Sequence, residues 1–321
     1  MAHLLKLAAF IAVISLGCVA AGQAQVGTVG GPGFYAPAAA GYTGPGDITS
    51  FTAWYGLRAY TAAEAAAATA KMINIENMTS THTCDVIVAT SGGLGVTANC
   101  SSGADNGKVV WNGSTGFCDG VVCAVLTVYD RTGGGRDVTT TAATSHPAVL
   151  VQNCLHTTLP CIQMPLSGAG GTQFFQSAAN FTPATGLVSI SAVGNRSSGT
   201  TEVLWLQEDG GNNRSKNTSA NTHACLSSAG AINQTASDGN WHAFGCILGG
   251  AGTTTNVVDG ATTTGTLSAN TTAGKIFVLQ NNGSTGNVGE LTEAGFADNV
   301  AWSSTTIAAL HANQSAYWGT P

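Results

Sequence analysis

Residues 117–139 decide the fold, and they read FCDGVVCAVLTVYDRTGGGRDVT. Two cysteines bracket a short loop, an apolar run from Cys123 to Tyr129 follows, and three consecutive glycines come next. Apolar and β-branched runs bounded by glycine-rich segments are typical of strands between turns. The stretch therefore predicts a strand that begins at the second cysteine of its loop and ends at a turn.

The same pattern of short strands and turns recurs along the chain. Further strands are predicted at 86–89, 187–193, 202–207, 241–248 and 275–279, and a strand-like run at 54–60. Turns are predicted at 133–135, 209–211, 238–240 and 259–260, where Gly and Asp cluster. Because no strand–helix alternation is seen, we predict an all-β protein, a β-sandwich of the jelly-roll kind.

Two helices are expected beside these strands. Thr61 and Glu64 have the spacing of a capping box at the start of an Ala-rich stretch that runs to Ile75. A second, C-terminal helix is predicted over residues 305–312.

The composition agrees with a secreted β-protein. Only 8% of the 321 residues are charged, against about 25% in an average soluble domain, and there are 43 glycines. The formal net charge of −6 offers no basic surface for nucleic acid. The chain thus favours neither a coiled coil nor a nucleic-acid-binding protein.

The N-terminus indicates export. Residues 1–25 contain a positive Lys6, an apolar run from Leu7 to Leu16 and small residues before a cleavage site after Ala24, as in a secretory signal peptide. Residues 26–46 are rich in Gly, Pro and Ala and are expected to form a flexible leader. Residues 47–321 are then one domain, and no membrane span is expected because no apolar run is long enough.

Eight cysteines remain once Cys18 leaves with the signal peptide. An even number in an exported chain indicates a disulfide framework. Because each neighbouring pair brackets a turn-rich segment, we predict four local disulfides. They are Cys84–Cys100, Cys118–Cys123, Cys154–Cys161 and Cys225–Cys246.

The cysteine loop and the Tyr129-Asp130 turn resemble the catalytic domain of the α-L-arabinofuranosidase B family, glycoside hydrolase family 54 (GH54). That family shows Phe-Cys, four residues, Cys, a strand and then Tyr-Asp-Gln-Ser-Gly-x-Gly, where this chain has Arg131-Thr132 in place of Gln-Ser. Residues 54–66 (WYGLRAYTAAEAA) are similar to the family's entry segment, and residues 286–318 to its last strand and helix. The resemblance implies a concanavalin A-like sandwich.

The resemblance also implies a retaining glycosidase, which works with two carboxyl groups. The family's nucleophile lies in an Asp-x-Glu-Asn-Asn motif, and the local candidate here is Glu208, with Trp205 as a wall of the pocket. Shifting the alignment by one residue makes Asp209 the candidate instead. The alternative is that both acids are solvated residues of a hairpin, because Asp-Gly-Gly is a strong turn signal.

In this chain asparagine occupies the position of the family's acid/base Asp. Asn281 and Asn282 stand in the corresponding segment, and an amide has no proton to cycle as a general acid. These two residues are instead candidates for substrate binding. Glu290 and Glu293 are the nearby carboxylates that could substitute, and for Glu290 a rim or structural position is the competing interpretation.

Two main functions follow. The chain is either a secreted hydrolase of terminal α-L-arabinofuranosyl groups, or a non-catalytic module that binds or adheres to glycans on the same sandwich. A structural envelope protein without a ligand is the third reading. No cofactor and no metal are expected, and the predicted partner is a carbohydrate, an arabinose-containing polysaccharide or another glycan.

Overall fold

The computed structural model describes residues 41–140, 148–155, 159–164, 173–196, 202–207, 213–218, 222–236, 239–249, 253–282 and 289–321. The predicted signal peptide and most of the predicted leader lie outside these residues. Residues 41–46 of the leader are described, and the hydroxyl of Tyr42 donates to the carbonyl of Ala59 at 2.5 Å.

The described residues contain nineteen strands. They are β1 Ala53–Gly56, β2 Lys71–Asn77, β3 Thr83–Val88, β4 Leu94–Ala98, β5 Cys123–Val128, β6 Val138–Thr140, β7 Val149–Leu155, β8 Leu159–Met164, β9 Gln173–Phe181, β10 Leu187–Arg196, β11 Glu202–Gln207, β12 Arg214–Asn217, β13 Thr222–Ser227, β14 Gly230–Thr235, β15 Trp241–Gly249, β16 Thr253–Val258, β17 Ala261–Gly265, β18 Gly274–Asn282 and β19 Gly289–Asp298.

The α-helices of the described residues number three. They are α1 Pro45–Ile48, α2 Ala62–Ala67 and α3 Ser304–Trp318, and a 3-10 turn covers Gly103–Asp105. Within the described part of the chain, no helix combines the length and the apolar character needed to cross a membrane.

The strands form two antiparallel layers. The first layer runs β17–β16–β15–β10–β19, and β1 and β8 pair with successive parts of the free side of β19. The second layer runs β14–β13–β12–β11–β18–β9–β6. The predicted all-β sandwich is therefore confirmed.

Strand β5 joins the two layers at one side. It pairs with β6 of the second layer and with β7, which continues through β8 into the first layer. On its other side β5 pairs with β2, and β3 and β4 follow. The result is a nearly closed antiparallel sheet folded into a sandwich.

Four disulfides have the pairings that the cysteine spacing predicts. Three of them close local loops or hairpins. The fourth joins Cys225 on β13 to Cys246 on β15, so it covalently links the two layers. Its sequence separation of 21 residues corresponds to a stabilisation of about 3 kcal/mol on the chain-entropy account.

Aromatic rings fill the space between the layers. The Trp205 ring on β11 stacks on the Phe244 ring on β15, with their centroids 5.4 Å apart, and the His223 ring lies against the same phenylalanine at 4.5 Å. His223 is fully buried, and its two ring nitrogens contact Asn256 Oδ1 at 2.6 Å and Ser215 Oγ at 2.8 Å. Each buried polar atom of this ring thus has a partner, as burial requires.

Helix α3 covers the outer face of the first layer through a buried ion pair. The Arg58 guanidinium donates from Nε and Nη2 to Glu293 Oε2 and Oε1 at 2.5 and 2.9 Å, and both side chains are almost fully buried. Gln314 and Trp318 of α3 donate to the same carboxylate at 2.9 and 2.7 Å. Glu293 therefore has a structural position and is not an exposed substitute for the missing acid.

The predicted helix from Thr61 to Ile75 is wrong in its extent. Helix α2 ends at Ala67, because Ala68 adopts a left-handed conformation with φ 48°, and residues from Lys71 onward form β2. The Ile73 and Ile75 side chains are completely buried in the core, and this burial outweighs the helical preference of the alanines before them. The Thr61 side chain does cap the helix, accepting from Glu64 N at 3.2 Å.

The seven predicted strands coincide with β1, β3, β5, β10, β11, β15 and β18 except at their ends, and the predicted turn at 209–211 lies outside the described residues. Helix α3 is longer than the predicted 305–312, because Leu310, Gln314 and Trp318 form a buried stripe over three turns. Asp259 and Gly260 form the predicted turn between β16 and β17, both with positive φ. The strands without a predicted counterpart include polar ones such as β12, β14 and β17, which lack an apolar alternation, and also apolar ones such as β7 and β8.

We predict that Glu293→Gln lowers the free energy of unfolding by about 3–5 kcal/mol, because it leaves the buried Arg58 guanidinium without its counter-charge. Urea unfolding at pH 7 measures this loss. The control is Lys71→Gln, which breaks the Lys71–Asp85 pair at a lysine side chain that is 44% exposed and should cost no more than about 1 kcal/mol. Equal effects of the two substitutions would contradict the prediction.

A second prediction concerns acid stability. Burial lowers the pKa of His223 from 6.5 to about 4 in the folded protein. Between these pH values the unfolded chain binds the additional proton, so stability should fall by about 3 kcal/mol as the pH drops from 6.5 to 4.

Urea unfolding at several pH values over this range compares the protein with His223→Gln. His223→Gln should reduce the slope of the unfolding free energy against pH by the contribution of at most one proton. The control His311→Gln replaces a histidine whose contact is exposed, and it should leave this slope unchanged. A slope unaffected by His223→Gln would refute the assignment.

Candidate functional site

The predicted catalytic residues Glu208 and Asp209 lie outside the described residues, so their role stays a prediction. Gln207, which precedes them, ends β11 and pairs with Phe277 on β18. Asn281, a predicted substrate-binding residue, pairs with Val203 near the other end of β11, and Asn282 pairs with Glu202. Four residues of strand separate Gln207 from Val203, which is about 13 Å.

Trp205, the predicted pocket wall, lies between the two layers. Its side chain is completely buried, and its Nε1 donates to Asn217 Oδ1 at 3.1 Å. A Cβ on Gly194 of the first layer would lie 2.6 Å from the Trp205 ring, so a residue larger than glycine would clash with this ring.

A different carboxylate lies on the outer face of the first layer. Glu290 on β19 accepts hydrogen bonds from Gln163 Nε2 on β8 at 2.8 Å and from Asn195 Nδ2 on β10 at 3.0 Å. All three residues are cross-strand register partners, and Trp241 on β15 occupies the next position of the row. We call Gln163, Glu290, Asn195 and Trp241 the Glu290 row.

The alternation of strand residues shows that the Glu290 row faces outward. Leu291 and Ile162, which neighbour Glu290 and Gln163 along their strands, belong to the core between the layers. Gly194, the neighbour of Asn195, faces Trp205 of the second layer. Successive side chains of a strand point to opposite faces, so the row lies on the other side of the sheet.

The row has the chemistry of a polar binding site. The Glu290 carboxylate is half-buried and fixed by two amide donors, and the Cys154–Cys161 disulfide lies beside it, within 4.8 Å. Asn195 is 9% exposed, and its Oδ1 is buried without a hydrogen-bond partner. A buried acceptor without a partner is costly, so this oxygen is available to a donor from a ligand.

The sequence pointed to Glu290 but not to its partners. Gln163 and Asn195 are 127 and 95 residues away from it, and no local motif marks them. The register of three adjacent strands brings them together.

A metal ion does not fit beside Glu290. The Cys154 and Cys161 sulfurs and a Glu290 oxygen lie close enough to one another to hold an ion. However, the two sulfurs are bonded to each other, and a metal needs them as thiolates.

One cluster has the hydrogen-bonding pattern of a catalytic nucleophile, its base and an orienting group. Its members in that order are Ser215, His223 and Asn256. All three side chains are completely buried, and Phe244 stacks on the imidazole. No substrate can reach Ser215 between the layers, so this cluster is a structural link.

The Tyr-Asp turn that suggested the family is also structural. Asp130 accepts from Trp54 N at 3.3 Å and from Thr132 Oγ1 at 2.8 Å, which ties the glycine-rich turn to β1. The Tyr129 hydroxyl donates to Asp85 Oδ1 at 2.6 Å. The motif therefore marks a conformation of the chain and not a catalytic group.

We predict that Trp205→Phe lowers the free energy of unfolding by about 1–3 kcal/mol, because it removes a buried hydrogen bond and part of the interlayer stacking. Urea unfolding measures the loss. An unchanged free energy of unfolding would contradict the interlayer position of Trp205.

No protein-family model and no curated protein sequence matches this chain. Among solved structures it is similar to a mutant GH54 α-L-arabinofuranosidase soaked with 4-nitrophenyl α-L-arabinofuranoside, at 14% identity and a TM-score of 0.61 over 86% of this chain and 66% of that one. It is also similar to an arabinofuranosidase complexed with arabinofuranosyl-α-1,2-xylobiose, at 14% identity and a TM-score of 0.59 over 86% and 65%. This chain thus spans just under two thirds of those proteins and shares the β-sandwich fold of the GH54 enzymes.

Proposed function

We propose that this chain is an exported carbohydrate-binding protein that takes arabinofuranosyl groups at the Glu290 row. The single observation that carries the proposal is the Glu290 carboxylate held between two amides on the outer face, beside the buried unpartnered Oδ1 of Asn195. The sandwich shared with arabinofuranosidases supports the choice of sugar.

The chemistry of the row suits a sugar. Sugar hydroxyls both donate and accept, so a carboxylate and an amide oxygen can receive them while the amide N–H groups hold the carboxylate in place. Half-buried Trp241 adds an aromatic surface at the end of the row, as small-molecule sites combine apolar area with a few fixed polar groups.

Export is part of the proposal. Four disulfides form and persist in oxidising compartments, and the N-terminal signal peptide predicted from residues 1–25 would send the chain there.

Hydrolysis of arabinofuranosides is the second candidate, and the shared fold is the observation that favours it. Retaining hydrolysis needs two carboxyl groups about 5–5.5 Å apart. The hydrogen-bond partners of Glu290 among the described residues are amides, and asparagine stands at the position of the expected acid. Binding without turnover is therefore the better supported function.

Calorimetric titration with arabinotriose tests the binding. We expect Glu290→Gln to weaken the affinity at least tenfold, because the amide that replaces the carboxylate loses a charge-assisted acceptor. The control Glu76→Gln, on β2 away from the row, should bind like the unsubstituted protein, and thermal unfolding confirms that both variants are folded. Arabinotriose binding unaffected by Glu290→Gln would refute the site.

Release of 4-nitrophenol from 4-nitrophenyl α-L-arabinofuranoside separates the two candidates. We expect no turnover. Turnover that Glu208→Ala abolishes would overturn the non-catalytic function and assign Glu208 as the nucleophile.

A further inference from the structure

The second layer carries a different polar row on its own outer face. Five neighbouring strands each contribute one residue to this row, and each residue is the register partner of the next. They are Arg214 on β12, Gln207 on β11, Phe277 on β18, Gln176 on β9 and Thr139 on β6. Four interstrand spacings make the row about 19 Å long. We call it the Arg214 row.

The neighbours of these residues show that the Arg214 row faces away from the core. Leu206 and Val278, next to Gln207 and Phe277 along their strands, are completely buried core residues. Ser215, next to Arg214, contacts His223 between the layers. The side chains of the row therefore point outward.

The guanidinium of Arg214 is the unusual group of this face. Its Nε is buried and has no hydrogen-bond partner among the described residues. Four other cationic side chains of the described residues contact carboxylates, namely Arg58, Lys71, Lys108 and Arg131. A buried donor without an acceptor costs about 1–3 kcal/mol, which a ligand carboxylate would relieve.

The row suits a sugar that bears a carboxylate. The planar guanidinium binds a carboxylate through two parallel hydrogen bonds, and the amide of half-buried Gln176 can bind a hydroxyl along the row. Half-buried Phe277 lies between the glutamines in the register and offers a ring to the apolar face of a sugar.

We propose that the outer face of the second layer binds an acidic saccharide, with the carboxylate of a uronic acid unit on Arg214. This inference rests on the proposed carbohydrate-binding function, but it assigns a second site on the opposite layer from the Glu290 row and a different class of sugar.

Calorimetric titration of the full chain with trigalacturonate and with its methyl ester tests the proposal. Trigalacturonate should bind at least tenfold more tightly than the ester, because esterification removes the charge that Arg214 recognises. Arg214→Gln should remove this preference, and Arg214→Lys should retain part of it, because lysine keeps the charge but not the two-pronged geometry. Lys108→Gln, which removes a positive charge elsewhere, should change nothing.

The outcomes separate this inference from the proposed function. If arabinotriose binds but trigalacturonate does not, or if acid and ester bind equally, the acidic site is refuted and the Glu290 row stands. If neither sugar binds, both fail. Glu290→Gln should leave trigalacturonate binding intact, and a loss there would show that one site serves both sugars and would overturn the second site.

Discussion

The buried pair of Arg58 and Glu293 is the interaction on which the outer side of the first layer depends. Glu293 lies on β19 at a position where β1 pairs on one side of the strand and β10 on the other. Arg58 lies just after the end of β1. The same carboxylate accepts from two side chains of α3, so one group connects the sheet, the segment after β1 and the C-terminal helix. Two desolvated charges are tolerated there because each is paired and hydrogen-bonded.

Between the layers the structure depends on close packing and one covalent link. The Phe244 ring contacts the Trp205 and His223 rings of the other layer. The Cys225–Cys246 disulfide joins β13 and β15, the strands that carry His223 and Phe244. Among the described residues, the buried Ser215, His223 and Asn256 side chains are paired with one another in this packing. The two polar rows lie on the outer faces of the layers instead.

The low charge of the chain explains the character of both outer rows. With few acids and bases, many exposed positions of the described residues are Thr, Ser and Asn, whose amides and hydroxyls suit neutral hydroxyl-bearing ligands. Against this background a single carboxylate or guanidinium sets the preference of a face. Glu290 has amide donors on both sides, whereas the Nε of Arg214 has no acceptor among the described residues.

Local signals in the sequence predict the all-β class, the four disulfide pairings, seven of the strands and the turn at Asp259-Gly260, because alternation, cysteine spacing and turn residues act over short stretches. They fail at residues 71–75, where local helical preference yields to burial of Ile73 and Ile75 in the core. The structural role of Glu293, the position of Trp205 between the layers and the contacts of Glu290 with Gln163 and Asn195 follow from the tertiary structure alone. Those contacts join residues up to 235 positions apart, and the strand register that creates them leaves no mark in any local stretch of sequence.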